Sequence, residues 1–109
     1  MNVDLTAFVG NLTEKPAAGK LPKGTVTNLR VAKSTEWTDK VTGEAKKHTD
    51  FIDVEVFGAQ GKHCLNELKK GDRVVVTGSL KYNEWSDDDG NQRSRIKVRA
   101  GVVGKSLEF

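Results

Sequence analysis

Thiols, prolines and aromatic rings are all scarce in this sequence, and each scarcity excludes something. Cys64 is the only cysteine among 109 residues. No intrachain disulfide can form, which rules out the crosslinked scaffolds of small secreted domains. With one thiol, and with His48 and His63 at no paired spacing, there is no zinc pattern. No metal and no other cofactor is expected. Apolar runs are short, far below the roughly 20 residues that span a bilayer. Met1-Asn2-Val3-Asp4 has neither a basic n-region nor an apolar h-region. A soluble cytoplasmic domain is therefore expected. No glycine-rich loop matches a phosphate cradle, and no spacing marks a nucleophilic triad, so no catalytic residue is assigned and the chain is not expected to be an enzyme. Aromatic residues number only seven, so the position of each is informative.

A chain of this length is one domain, expected to span residues 1–109, and can bury roughly two thirds of its unfolded surface. The net charge of +3 and pI near 9.1 are compatible with a polyanionic partner. The clearest element is Phe51-Ile52-Asp53-Val54-Glu55-Val56-Phe57. Its strict alternation reads as a strand with Ile52, Val54 and Val56 on a core face. The opposite face carries Phe51, Asp53, Glu55 and Phe57. Rings flanking acids on a polar face either pack under a loop or an oligomer interface, or form a platform on which flat bases stack.

Taken in order, Val3 to Leu12 reads as a first strand, with Val3, Leu5, Ala7 and Val9 inward and Gly10 at a bulge or bend. Residues Thr13 to Gly24 hold both prolines, Pro16 and Pro22, and read as a loop. A second strand covers Thr25 to Lys33, with Leu29 and Val31 inward. Ser34 to Lys47 is polar and forms a basic hairpin arm, with Trp37 expected at its base and Lys40 in it. Gly58 to Lys70 changes to helical spacing, closed by Lys69, Lys70 and a left-handed Gly71. Arg73 to Tyr82 is a fourth strand with Val74, Val76, Leu80 and Tyr82 in register. Glu84 to Gln92, with Trp85, is a second hairpin. Arg93 to Val103 is a fifth strand, its inner face Ile96, Val98, Ala100 and Val102. Three strands, a short helix and two strands is the order of the OB-fold, an all-β five-stranded Greek-key barrel with one short helix.

Arg93, Arg95, Lys97 and Arg99 occupy alternate positions of the fifth strand with no acid among them. They form either a solvated face or a row that tracks phosphates. Trp37, Phe51, Phe57 and Trp85 all stand in polar company, which favours stacking over burial. The Asp87-Asp88-Asp89-Gly90 run fails as a calcium loop, because Trp85 and Ile96 would occupy two ligand positions; it reads as a turn.

Several segments resemble the bacterial and phage single-stranded DNA-binding protein family. They are Val9-Gly10-Asn11-Leu12, Ser34 through Glu44, Val56-Phe57-Gly58, Leu68-Lys69-Lys70-Gly71, Gly78-Ser79-Leu80 and Trp85-Ser86-Asp87. Their order runs from about residue 2 to 107. The resemblance implies an OB-fold, usually a homotetramer, that coats single strands in replication, recombination and repair. It places base-stacking rings at Trp37, Phe51, Phe57 and Trp85 and basic contacts at Lys40, Lys70 and Arg93; Arg95 and Lys81 join them on strand parity alone. The chain departs from the family in Glu84 and the aspartate run beside Trp85, which are expected to weaken that arm. No separate acidic-tipped C-terminal tail is expected, and recruitment of proteins through such a tail is not expected. Phe8 and Leu12, on the less buried parity of the first strand, are the expected interface. The rival readings are a related OB-fold primosomal or RNA-binding protein, and an OB-fold nuclease using Asp53 and Glu55.

Overall fold

The computed structural model describes residues 5–20 and 24–108. Its elements are β1 (Leu5–Leu12), β2 (Ala17–Lys20), β3 (Thr25–Thr38), β4 (Ala45–Phe57), α1 (Gly58–Glu67), β5 (Arg73–Ser86) and β6 (Gln92–Lys105). The sheet order is β1-β5-β6-β4-β3-β2, and β1 also pairs with β3. That last pairing closes β1-β5-β6-β4-β3 into a five-stranded barrel, the expected OB-fold. All pairs are antiparallel except β4 with β6. Closure leaves few edges for unintended pairing. β2 lies within the segment expected to be a loop. Ala17 to Lys20 has little strand propensity of its own, but it adds to the edge of β3 that β1 leaves open.

The core is built from Phe8, Leu12, Leu29, Val31, Val54, Val56, Val74, Val76 and Val98, with Cys64 and Leu68 closing one side. Burial pushes the Cys64 thiol above its ordinary pKa, so it stays protonated. In β4 the alternation holds as expected: Val54 and Val56 are buried, and Ile52 packs beside them. In β1 the parity is the reverse of the expected one. Phe8 and Leu12 point inward, while Ala7 and Val9 face out; Val3 lies outside the described residues. Both parities of β1 are apolar, and Gly10 decides between them. It falls on the inward parity where β1 meets β3, and a Cβ there would sit 2.5 Å from the Ala32 carbonyl oxygen. Gly10 thus permits a close crossing instead of forming a bulge. Phe8 and Leu12 are therefore unavailable as an interface.

Two long hairpins project past the barrel. The β3–β4 ribbon runs in unbroken register from Val26↔Phe57 to Thr38↔Ala45. Its turn is held by Asp39, whose side chain accepts from the Val41 and Thr42 backbone N–H groups at 2.8 and 3.2 Å. The β5–β6 ribbon ends at Ser86↔Gln92, and its register shifts at Thr77/Gly78. That irregularity changes inward parity along β6: Val103 packs on the core while Val102 is 60% exposed. Leu80, Tyr82 and Ile96 keep the inward parity of Val98, but stand on the arm beyond the core and are exposed. They are not core residues as expected. Helix α1 ends at Glu67, short of Lys70. Gly71, with φ 92°, belongs to a following turn in which the Asp72 N–H donates to the Lys69 carbonyl. Among the described residues, no helix is long and apolar enough to cross a membrane.

Candidate nucleic-acid interface

Residues directly opposite in a ladder share a face, so the register defines one continuous outer surface over β3, β4, β6 and β5. On β4 it carries Phe51, Asp53, Glu55 and Phe57. Across from them on β3 are Ala32, Arg30, Asn28 and Val26. On β6, Lys97 lies opposite Asp53 and Arg99 opposite Glu55. On β5, Lys81 faces Lys97, and farther along the arm Trp85 faces Arg93. Phe51 is 56% exposed and Trp85 is 46% exposed, while Phe57 is half-buried. The two phenylalanines are six residue steps apart along the strand, about 20 Å at strand rise.

Acids meet the cationic row after all, because they come from neighbouring strands and from the turn. Arg30 Nη1 donates to Asp53 Oδ1 at 3.5 Å, and Lys97 Nζ lies 3.8 Å from Glu55 Oε2. Arg93 Nε donates to Asp87 Oδ2 at 2.9 Å. This bond, followed by the Asn91 backbone N–H, holds the Asp87 carboxyl below the usual carboxylate range. The Arg30 guanidinium also sits 5.1 Å from the Phe51 ring centre, and that of Arg99 sits 4.4 Å from the Phe57 ring centre. Each ring is thus partnered by a cation that attracts its face. Lys97 and Glu55 are about three-quarters buried, with side chains 24% and 25% exposed, so their charges are only partly screened.

The other expected contacts are dispersed. Trp37 pairs with Lys46 and so has the parity of Val31, opposite to Phe51. It lies two residues before the turn, near the tip of the arm and not at its base, and is 49% exposed. Lys40 is exposed in that turn. Lys70 is exposed in the turn after α1, where Gly71 donates to the Leu12 carbonyl. Arg95 stands opposite Asn83 in the ladder; its side chain lies outside the described residues.

A model of the single-strand binding protein family matches residues 4–106. The chain belongs to that family. Its members are single-stranded DNA-binding proteins, and this chain is one of them. Among solved structures it is similar to a small single-stranded DNA-binding protein from Streptomyces coelicolor, with 28% identity over 98% of this chain and 97% of that one, at a TM-score of 0.80. It is also similar to a deletion mutant of the single-stranded DNA binding protein from Thermus aquaticus, with 25% identity over 97% of this chain and 51% of that one, at a TM-score of 0.81. Plasmodium falciparum SSB in complex with ssDNA shares the fold, with 23% identity over 91% of this chain and 87% of that one, at a TM-score of 0.78.

Within this single-strand binding protein, sequence reasoning missed Arg30. It lies on β3, 21 residues before Phe51, and only the Arg30↔Asp53 register brings it beside the ring. Strand parity places Arg99 and Lys97 on the outer face, but does not reveal their partners Phe57 and Glu55. The parallel β4–β6 pairing brings these together, and no local pattern announces it.

Proposed function

We propose that this protein coats single-stranded DNA without strong sequence demand, as a non-catalytic module in replication, recombination and repair in the cytoplasm. Phe51, Phe57 and Trp85 stack bases on the outer face, and Trp37 receives the strand where it leaves that face along the arm. Lys81, Arg93, Arg95 and, at the two ends, Lys40 and Lys70 neutralise phosphates. The observation that carries this reading is the single outer face on which two exposed or half-exposed rings of β4 and Trp85 of β5 alternate with cations. A duplex hides its base faces, so such a surface favours unpaired strands.

The working form is a homotetramer. The outer parity of β1, β5 and the end of β6 supports this, since Val9, Val75 and Val102 are all exposed there. Val9↔Val75 are ladder partners, and Val102 is paired to the adjacent Thr77. This apolar face of β1, β5 and the end of β6 replaces Phe8 and Leu12 as the assembly surface.

Fluorescence anisotropy with oligo-dT and with a duplex of equal length tests the function. Tight binding to the single strand, weak binding to the duplex and weakening with salt are expected. Equal affinity for both would remove the reading.

A further inference from the structure

Between Phe51 and Phe57 the outer face is indented by a polar cavity of about 270 Å³. Glu14, Asn28, Arg30, Asp53, Glu55 and Lys97 line it. A surface that only stacks bases and neutralises phosphates has no use for carboxylates at its centre, because they repel the backbone. Asp53 is already engaged by Arg30. Glu55 differs: Lys97 approaches only to 3.8 Å, and among the described residues no hydrogen bond reaches the Glu55 carboxylate. A three-quarters-buried carboxylate therefore keeps acceptor capacity within a groove that receives bases.

We propose that Glu55 and Lys97 read the Watson–Crick edge of an unpaired guanine lodged between the two stacking rings. This rests on the reading that DNA bases lie on this face. The match is one of hydrogen-bond pattern. Guanine presents two adjacent donors, N1–H and the N2 amine, which suit the two oxygens of a carboxylate. The neighbouring O6 is an acceptor, which suits the Lys97 ammonium. Cytosine and adenine each offer one amine beside a ring nitrogen that repels the second carboxylate oxygen. Thymine offers one N–H flanked by two carbonyls and fits worst. The same carboxylate drives phosphates to the rim, where the cations stand, and so turns bases inward. The protein coats any single strand through its rings, and Glu55 adds a guanine preference at one position of the groove.

The test is fluorescence anisotropy with labelled oligo-dT, a TTG-repeat strand too sparse in guanine to self-associate, and the same repeat with inosine for guanine. The wild-type protein should bind the guanine repeat about fivefold more tightly than oligo-dT, the low end for a bidentate base contact. Inosine, which lacks the N2 amine, should lose most of that gain. Glu55→Gln should bring the ratio close to one while binding oligo-dT more tightly than wild type, because a negative charge has left the groove. A merely structural role for Glu55 would weaken both strands in parallel. Equal wild-type affinity for all three strands, or a parallel loss in the variant, overturns the proposal. Failure to bind any single strand removes the stacking reading as well. The inosine arm uses only wild-type protein, so it decides the matter even where Glu55→Gln folds poorly.

Discussion

Val56 and Phe57 are adjacent in sequence and opposite in role, and alanine at each separates the roles. Val56 is fully buried. Truncation removes two methyl groups, about 0.8 kcal/mol each in transfer, plus a cavity term, for about 2–3 kcal/mol in all. For a domain of this size the melting temperature should fall by roughly 10 °C or more. Binding per folded molecule should be unchanged. Phe57 is half-buried, with the Arg99 guanidinium over its ring. An exposed cation–ring contact is worth about 0.5–1 kcal/mol, so Phe57→Ala should lower the melting temperature by only a few degrees. Its cost falls on binding: one lost stack is about 1–3 kcal/mol, or about 5- to 150-fold in dissociation constant. Thermal melts by circular dichroism and anisotropy with oligo-dT at fixed salt measure the two quantities on the same samples. Should Phe57→Ala unfold the protein while the folded remainder binds normally, the ring is core and the platform is wrong.

Trp85 shares the outer face with the phenylalanines and Trp37 does not, so Trp85→Ala should cost more affinity than Trp37→Ala, and oligo-dT should quench the tryptophan emission of the Trp37→Ala variant; unchanged emission there would contradict the placement of Trp85. Val102→Asp, on the exposed outer parity of β6, should leave the barrel folded and reduce the mass seen by light scattering from tetramer toward smaller species; an unaltered mass would point to another interface. Asp87 is depressed by Arg93 and by backbone N–H groups, so its contribution to stability is present above the ordinary carboxylate pKa and is lost as pH falls through its lowered folded value. The melting-temperature gap between wild type and Asp87→Asn, present at neutral pH, should therefore close in acid; a gap that persists in acid would mean that ionisation is not what matters.

The β3–β4 hairpin and its faces were legible because the alternation from Phe51 to Phe57 is uninterrupted and only one parity is apolar throughout, the other having Asp53 and Glu55 between its rings. In β1 both parities are apolar, and the choice fell to a backbone crossing at Gly10 that joins residues far apart in sequence. β2 was illegible because Ala17 to Lys20 is a strand only by virtue of the β3 edge it meets. At Thr77/Gly78 a register shift reversed the expected places of Val102 and Val103, and a bulge leaves no mark in hydropathy. The candidate site divides the same way. Phe51, Phe57 and the cations of the fifth strand could be assigned to a face from their own strand, whereas Trp37 stands on the opposite parity and Lys40 and Lys70 lie in turns. Which acid meets which cation depends on strand pairing across the barrel, above all the parallel β4–β6 contact.

The central claim is that bases lie on the outer face of β4 and its neighbours. The most direct measurement is nuclear magnetic resonance of the aromatic ring protons and backbone amides during titration with oligo-dT. Ring-proton shifts should concentrate at Phe51, Phe57 and Trp85, with amide shifts along Asp53 to Phe57 and Lys97 to Arg99, while Val9, Val75 and Val102 remain unmoved. Shifts confined to the face formed by Val9, Val75 and Val102, with the Phe51 and Phe57 rings silent, would contradict the account.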